Sequence, residues 1–198
     1  MASTYTILKL SRIARNKNIL QHSCGWNAYG QDNSEAEIGL VVSAVQTSAQ
    51  LSGLDPRFVF AIVMQESKGC VRVKSTKNAV HNPGLMQSFN GVHSCNQDGV
   101  PQLPCPEEQI TGMIRDGVGF TNGNGLIQLV DAAIMHNRAS GGTTGLDKTM
   151  PRVYYQAARL YNSGSTAPNW ADLNDGQTAT PAYALDIANR LVGWIDPT

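Results

Sequence analysis

The chain has no apolar run near the roughly 20 residues that a membrane-crossing helix needs, so no membrane insertion is expected. It has no excess of either charge. Fifteen Lys and Arg face 15 Asp and Glu across 198 residues, which removes the basic footprint of non-specific nucleic-acid binding. Aromatics are few, at 7%, but total hydrophobic content is 41%, enough to build a core and to exclude composition-driven disorder. No two cysteines have C-x-x-C spacing, which argues against zinc and thioredoxin-type sites. A Gly-rich phosphate loop, a nucleophile elbow and a metal-ligand cluster are all missing, so no cofactor and no metal are expected. Met1 to Leu10 lacks a basic region followed by an apolar stretch. No signal peptide is therefore visible, and the compartment is read from the cysteines: if they form disulfides, the expectation is a secreted protein in its mature form, with its leader outside the sequence.

What is present begins with four cysteines, Cys24, Cys70, Cys95 and Cys105. An even count suits two disulfides, with three pairings open. The short segment between Cys95 and Cys105 is rich in Asn, Asp, Gly and Pro, which favours closing it and leaves Cys24 with Cys70. The alternative is four free buried thiols.

Residues 1–33 read as an irregular N-terminal arm, with a weakly alternating stretch at Thr4–Leu10 that suggests a short strand. Lys9, Arg12, Arg15 and Lys17 make the arm locally basic. A solvated surface is the plainer account, and attraction to an anionic cell wall the sharper one.

From residue 34 onward the pattern is mainly helical, interrupted over 71–106. Ser34 and Glu37 form a capping-box signature ahead of Ile38, Val41, Val42, Val45 and Ala49, with a stop at Gly53. Asp55-Pro56 starts a second helix that runs through the apolar stretch Phe58–Met64 to Glu66 and ends near Gly69-Cys70. So apolar a helix belongs at the centre of the molecule. Residues 71–106 hold turn signals and read as one long loop with a small hairpin. A loop this long in a compact domain is more often functional than passive. Further helices start at Pro106, before Leu126, after Pro151 and at Thr180-Pro181, the last carrying Ala184, Ile187, Ala188, Leu191 and Trp194. The expected fold is mainly α, about six helices around a buried one.

Glu66 breaks the pattern around it. It lies four residues after Ile62 and eight after Phe58, on one helix face. A carboxyl in that setting is desolvated, which favours the neutral acid and raises its pKa. Such a group can protonate a leaving oxygen. The plainer account pairs Glu66 with a cation at the helix end, for instance Lys68 or Arg72.

Three pieces follow in order: Glu66-Ser67-Lys68-Gly69, then Asn82-Pro83-Gly84-Leu85-Met86-Gln87, then Tyr161-Asn162-Ser163-Gly164. Together they resemble glycoside hydrolase family 23, the lytic transglycosylases and goose-type lysozymes. The stretch Glu108–Met113 also looks like that family's helix after the loop. The resemblance covers roughly residues 55–165. It implies a lysozyme-like catalytic domain over 34–198, with a long loop and small β region lining the cleft. Glu66 would be the general acid that cuts the β-1,4 bond between N-acetylmuramic acid and N-acetylglucosamine in peptidoglycan. Gly84 and Leu85 would let backbone approach the sugar and pack the loop. Met86 and Gln87 would line the cleft. Tyr161 would hydrogen-bond or orient Glu66. Asn162 would contact the glycan or hold the turn, and Ser67 would contact substrate. The partner implied is the peptidoglycan glycan strand, bound by a monomer.

Most glycosidases need two carboxylates. Goose-type lysozymes tend to carry an Asp just after the Met-Gln pair, but Ser88-Phe89 stands here. Asp98 is the remaining loop candidate, although Asp98-Gly99 is also an ordinary turn. Four readings stay open: hydrolysis by a fungal-type muramidase, which the cysteines favour; lytic transglycosylation, which a single Glu favours; a chitinase or chitosanase; and a non-catalytic glycan-binding module.

Overall fold

A computed structural model describes residues 4–77, 80–140, 147–164, 170, 172–174 and 179–195, the side chains of 4–13 excepted. The fold is mainly α. Seven helices appear among the described residues: α1 (Thr4–Trp26), α2 (Glu35–Ser52), α3 (Pro56–Ser67), α4 (Glu107–Val118), α5 (Leu126–Ala139), α6 (Pro151–Ser163) and α7 (Tyr183–Val192). Between α3 and α4 lie two antiparallel hairpins in place of the one expected. In the first, β1 (Thr76–Lys77) pairs with β2 (His81–Asn82). In the second, β3 (Asn96–Gln97) pairs with β4 (Val100–Pro101).

Local chemistry sets the helix ends. Ser34 Oγ accepts the Glu37 backbone N–H, and Glu37 reaches back to the Ser34 N–H at 2.8 Å, so the capping box is complete. Gly53 ends α2 in the left-handed conformation that costs glycine nothing. Asp55 caps α3, and Pro56 occupies its first position, where a missing N–H is harmless. α7 stops at Val192, so Trp194 lies beyond the helix on which the sequence pattern put it.

α3 is the axis. Phe58 through Met64 are all buried, and α3 packs against α2 and α7. At its start, Tyr154 of α6 meets the Phe58 ring edge-on at 4.8 Å and accepts the Asp55 N–H. Around this axis α2 packs on α4, α5 on α6, and α6 on α7.

The N-terminal segment corrects the expectation of an irregular arm with a short strand. It is the 23-residue helix α1, and it buries Ile19, Leu20 and Cys24. Its apolar residues are scattered along most of its length, so no helical stripe announced it. Cys24 is bonded to Cys70, which ties α1 to the chain just beyond α3. Cys95 is bonded to Cys105, closing the second hairpin. In the chain-entropy model, loops of these lengths destabilise the unfolded state by about 4 and about 3 kcal/mol.

A buried ion pair knots the loops. Glu37 and Arg72 keep only 4% and 2% of their side-chain surface. The Arg72 guanidinium donates to Glu37, to the Gln102 carbonyl and to the Gln31 carbonyl. Glu37 also accepts the Cys105 N–H at 2.8 Å. One carboxylate thus joins α2, the segment after α3 and the Cys95–Cys105 loop. Burial pushes the Glu37 pKa up, but the Ser34 and Cys105 N–H groups and Arg72 outweigh it and hold the carboxyl below its usual 4.5.

Candidate active site around Glu66

Glu66 sits in the last turn of α3, where the helix dipole is negative and disfavours a carboxylate. Packing desolvates it further. Burial raises its pKa from 4.5 to about 7 against the lowering effect of one hydrogen bond from Tyr183. The residue still keeps part of its surface open to solvent. Among the described residues no cation forms an ion pair with it, and Arg72 is spent on Glu37. The result is a carboxyl that holds its proton near neutrality and remains reachable.

The partner that orients Glu66 is Tyr183, not Tyr161. Tyr183 opens α7 and donates its hydroxyl to Glu66 Oε1. Burial and the nearby Glu66 carboxylate push its pKa well above 10, so it stays a neutral donor. Tyr161 lies near enough to feel the Glu66 charge, but its hydroxyl donates to the Met86 carbonyl at 2.7 Å. Its role is to tie α6 to the 83–88 loop.

The residues around Tyr161 explain how Tyr183 arrives. Arg159 is fully buried in α6 and donates to the Thr180 and Pro181 carbonyls at 2.8 and 3.1 Å. Asn162 Oδ1 accepts from Arg159 and from the Thr180 N–H. Asn162 therefore holds the turn, the second of its two expected roles, and α6 fixes the chain that carries Tyr183 onto Glu66. No sequence signal gave Tyr183 away. It reads as the first apolar residue of an amphipathic helix, 117 positions from its partner.

The Gly84–Gln87 loop forms a packed wall. Leu85 and Met86 are fully buried, so the Met86 side chain does not line an open cleft as the resemblance implied. The loop docks on α4 because that helix gives it room. A Cβ at Gly117 would lie 2.5 Å from Met86 Cβ. Gly84 has φ of +73°, and a Cβ there would strike Met113 at 2.5 Å. Gln87 turns inward to the loop: its amide donates to the Lys74 and Gly84 carbonyls and accepts from the Thr76 N–H. Its side chain is a loop staple where a sugar contact was expected. Ser67 is likewise occupied, donating to the Val63 carbonyl and accepting the Gly69 N–H.

No second carboxylate joins Glu66 from the expected place. Asp98 and Gly99 form the exposed two-residue turn of the second hairpin, both with positive φ. A different carboxyl, Asp116 of α4, is buried behind the same loop, where one oxygen accepts the Val92 and His93 N–H groups and the His93 ring. It anchors residues 91–93. Among the described residues no cluster of His, Cys, Asp or Glu has the makings of a metal site.

Comparisons with family models, with curated proteins and with solved structures return no match for this chain. The chemistry of the site rests on its own geometry: one carboxyl that burial biases toward its neutral form, a phenol donor on it, and a packed loop tied to α6 by Tyr161.

Proposed function

We propose that the protein is a secreted glycosidase that cleaves the N-acetylmuramic acid to N-acetylglucosamine bond of bacterial peptidoglycan, with Glu66 as its acid/base. The observation that carries this reading is the state of Glu66: desolvated, neutral to about pH 7, partly open, and free of any described cation. A structural ion pair would have lowered its pKa. The two disulfides suit a protein working in an oxidising, extracellular setting.

The proton balance is simple. Glu66 gives its proton to the bridging oxygen as the C1–O bond breaks, and the N-acetylglucosamine leaves with a hydroxyl. The Glu66 carboxylate then takes a proton from the group that attacks C1. If that group is water, the product has a reducing end. If it is the muramic acid's own 6-hydroxyl, the product is the 1,6-anhydro sugar. The second route needs no second carboxylate, and neither Asp98 nor Asp116 supplies one: Asp98 is in an exposed turn and Asp116 accepts the Val92 and His93 N–H groups. Mass spectrometry of digested peptidoglycan separates the two products, which differ by one water.

The reading itself is tested with Glu66→Gln. Loss of roughly 10³-fold in cleavage rate with an intact fold is expected. Unchanged cleavage by that variant contradicts it.

A further inference from the structure

Phe89 stands at the rim of the loop that walls the Glu66 site. The Met86 carbonyl in that loop accepts the Tyr161 hydroxyl at 2.7 Å, and the same hydroxyl feels both Ser88 and the Glu66 charge. Phe89 is the next residue, and adjacent Cα atoms are only about 3.8 Å apart. Its side chain breaks with its neighbours. Leu85, Met86 and Ser88 keep at most 1% of their surface, whereas Phe89 keeps 46% and does not join the hydrophobic core.

We infer that Phe89 is a stacking platform for a pyranose ring of the substrate strand and sets the preference of the Glu66 site for longer strands, an inference that rests on the function proposed above. The backbone around the ring is held on both sides. Ser88 N–H donates to the Pro83 carbonyl, Asn90 N–H to the His81 carbonyl at 2.8 Å, and Gly91 N–H to the Ser88 carbonyl. The Phe89 carbonyl itself accepts the Asn122 amide at 2.6 Å. Asp116 then takes the Val92 and His93 N–H groups. Gln87 is kept at φ of +44°, a conformation that suits glycine, by its own side-chain bonds to the loop. A side chain presented from so tied a turn loses little freedom when a ligand meets it.

The ligand class follows from what surrounds the ring. A pyranose has an apolar C–H face and a polar rim. The face packs on an exposed aromatic ring, and both lose apolar surface to water. The rim needs uncharged donors and acceptors. Asn90, next in the chain, is exposed, and its side-chain amide makes no hydrogen bond among the described residues. Ser88, Asn90 and Gly91 bring no charge to the ring. The occupant is fixed by continuity: a strand seated at Glu66 extends along the wall that Tyr161 and Met86 build, and Phe89 is the exposed aromatic of that wall. Its contact lies away from the bond being cut, so it adds binding without entering the chemical step.

The test compares kcat and KM on soluble peptidoglycan glycan oligomers of graded length. Phe89→Ala should raise KM by about tenfold on long oligomers with kcat unchanged, and leave the shortest cleaved oligomer within about twofold. Phe89→Trp should restore the parent KM. Val92→Ala, an exposed apolar truncation on the same loop, should stay within about twofold throughout. No change at any length overturns the inference, as does an equal loss at every length carried by kcat, or an equal loss with Val92→Ala. Calorimetric binding of the same oligomers in a Glu66→Gln background should show the same dependence on Phe89. Phe89-dependent binding by a parent protein that cuts nothing leaves the platform standing and sinks the proposed reaction. Cleavage by the parent with binding indifferent to Phe89 does the opposite.

Discussion

Glu37 and Glu66 are two helix glutamates in crowded surroundings, with opposite fates. Glu37 occupies the third position of α2, at the positive end of the helix dipole. It is saturated: two backbone N–H groups, one hydroxyl and one guanidinium meet its two oxygens. Its proton is lost early. Glu66 occupies the negative end of α3 and has one neutral donor. It keeps its proton to about pH 7. Burial acts on both. The number and charge of the donors decide whether a carboxyl becomes structure or chemistry.

The comparison breaks most sharply at Glu66 itself. Besides slowing cleavage by roughly 10³-fold, Glu66→Gln should raise stability at alkaline pH. The folded pKa is raised, so the native state loses stability as pH climbs from 4.5 through about 7. The charged carboxyl then costs on the order of 3 kcal/mol. Urea unfolding should therefore show the variant gaining on its parent at alkaline pH, and losing that gain in acid.

Glu37→Gln should do the reverse. It strands the buried Arg72 charge and should destabilise the fold by about 3–5 kcal/mol, read by urea unfolding. In the parent, the depressed Glu37 pKa means its contribution is present above pH 4.5 and is lost as pH falls through the folded value.

Tyr183→Phe sharpens the contrast. It removes the one interaction that lowers the Glu66 pKa, so the alkaline limb of the rate profile should move up. The rate should fall about tenfold, as expected when a positioning hydrogen bond is lost. A merely structural tyrosine would lower activity without moving that limb. The smallest effect is expected for Asp98→Asn. An exposed turn residue that is not a second carboxylate should leave cleavage within about twofold.

Features carried by neighbours in the chain were legible in sequence. The Ser34–Glu37 box, the Asp55-Pro56 start, the apolar α3 and the turn at Asp98-Gly99 all depend on residues within a few positions of one another. The disulfide pairing was legible because Cys95 and Cys105 bracket a turn-rich segment. What escaped notice depends on contacts across the fold. Glu66 was singled out by its apolar neighbours, but Tyr183 reaches it from 117 residues away. Tyr161 was assigned the wrong partner because short motifs name residues and not directions. Gln87 and Met86 looked like cleft residues, and tertiary packing turned one to the loop backbone and the other to the core. α1 escaped because its apolar residues trace no single face.

The most direct measurement is the initial rate of wall-glycan cleavage as a function of pH, from about pH 4 to about pH 9. A Glu66 that must be protonated to act predicts a rate that falls with a midpoint near pH 7, in line with its raised pKa. A rate that stays flat across that midpoint, or one that rises through it, would contradict the assignment of Glu66 as the acid.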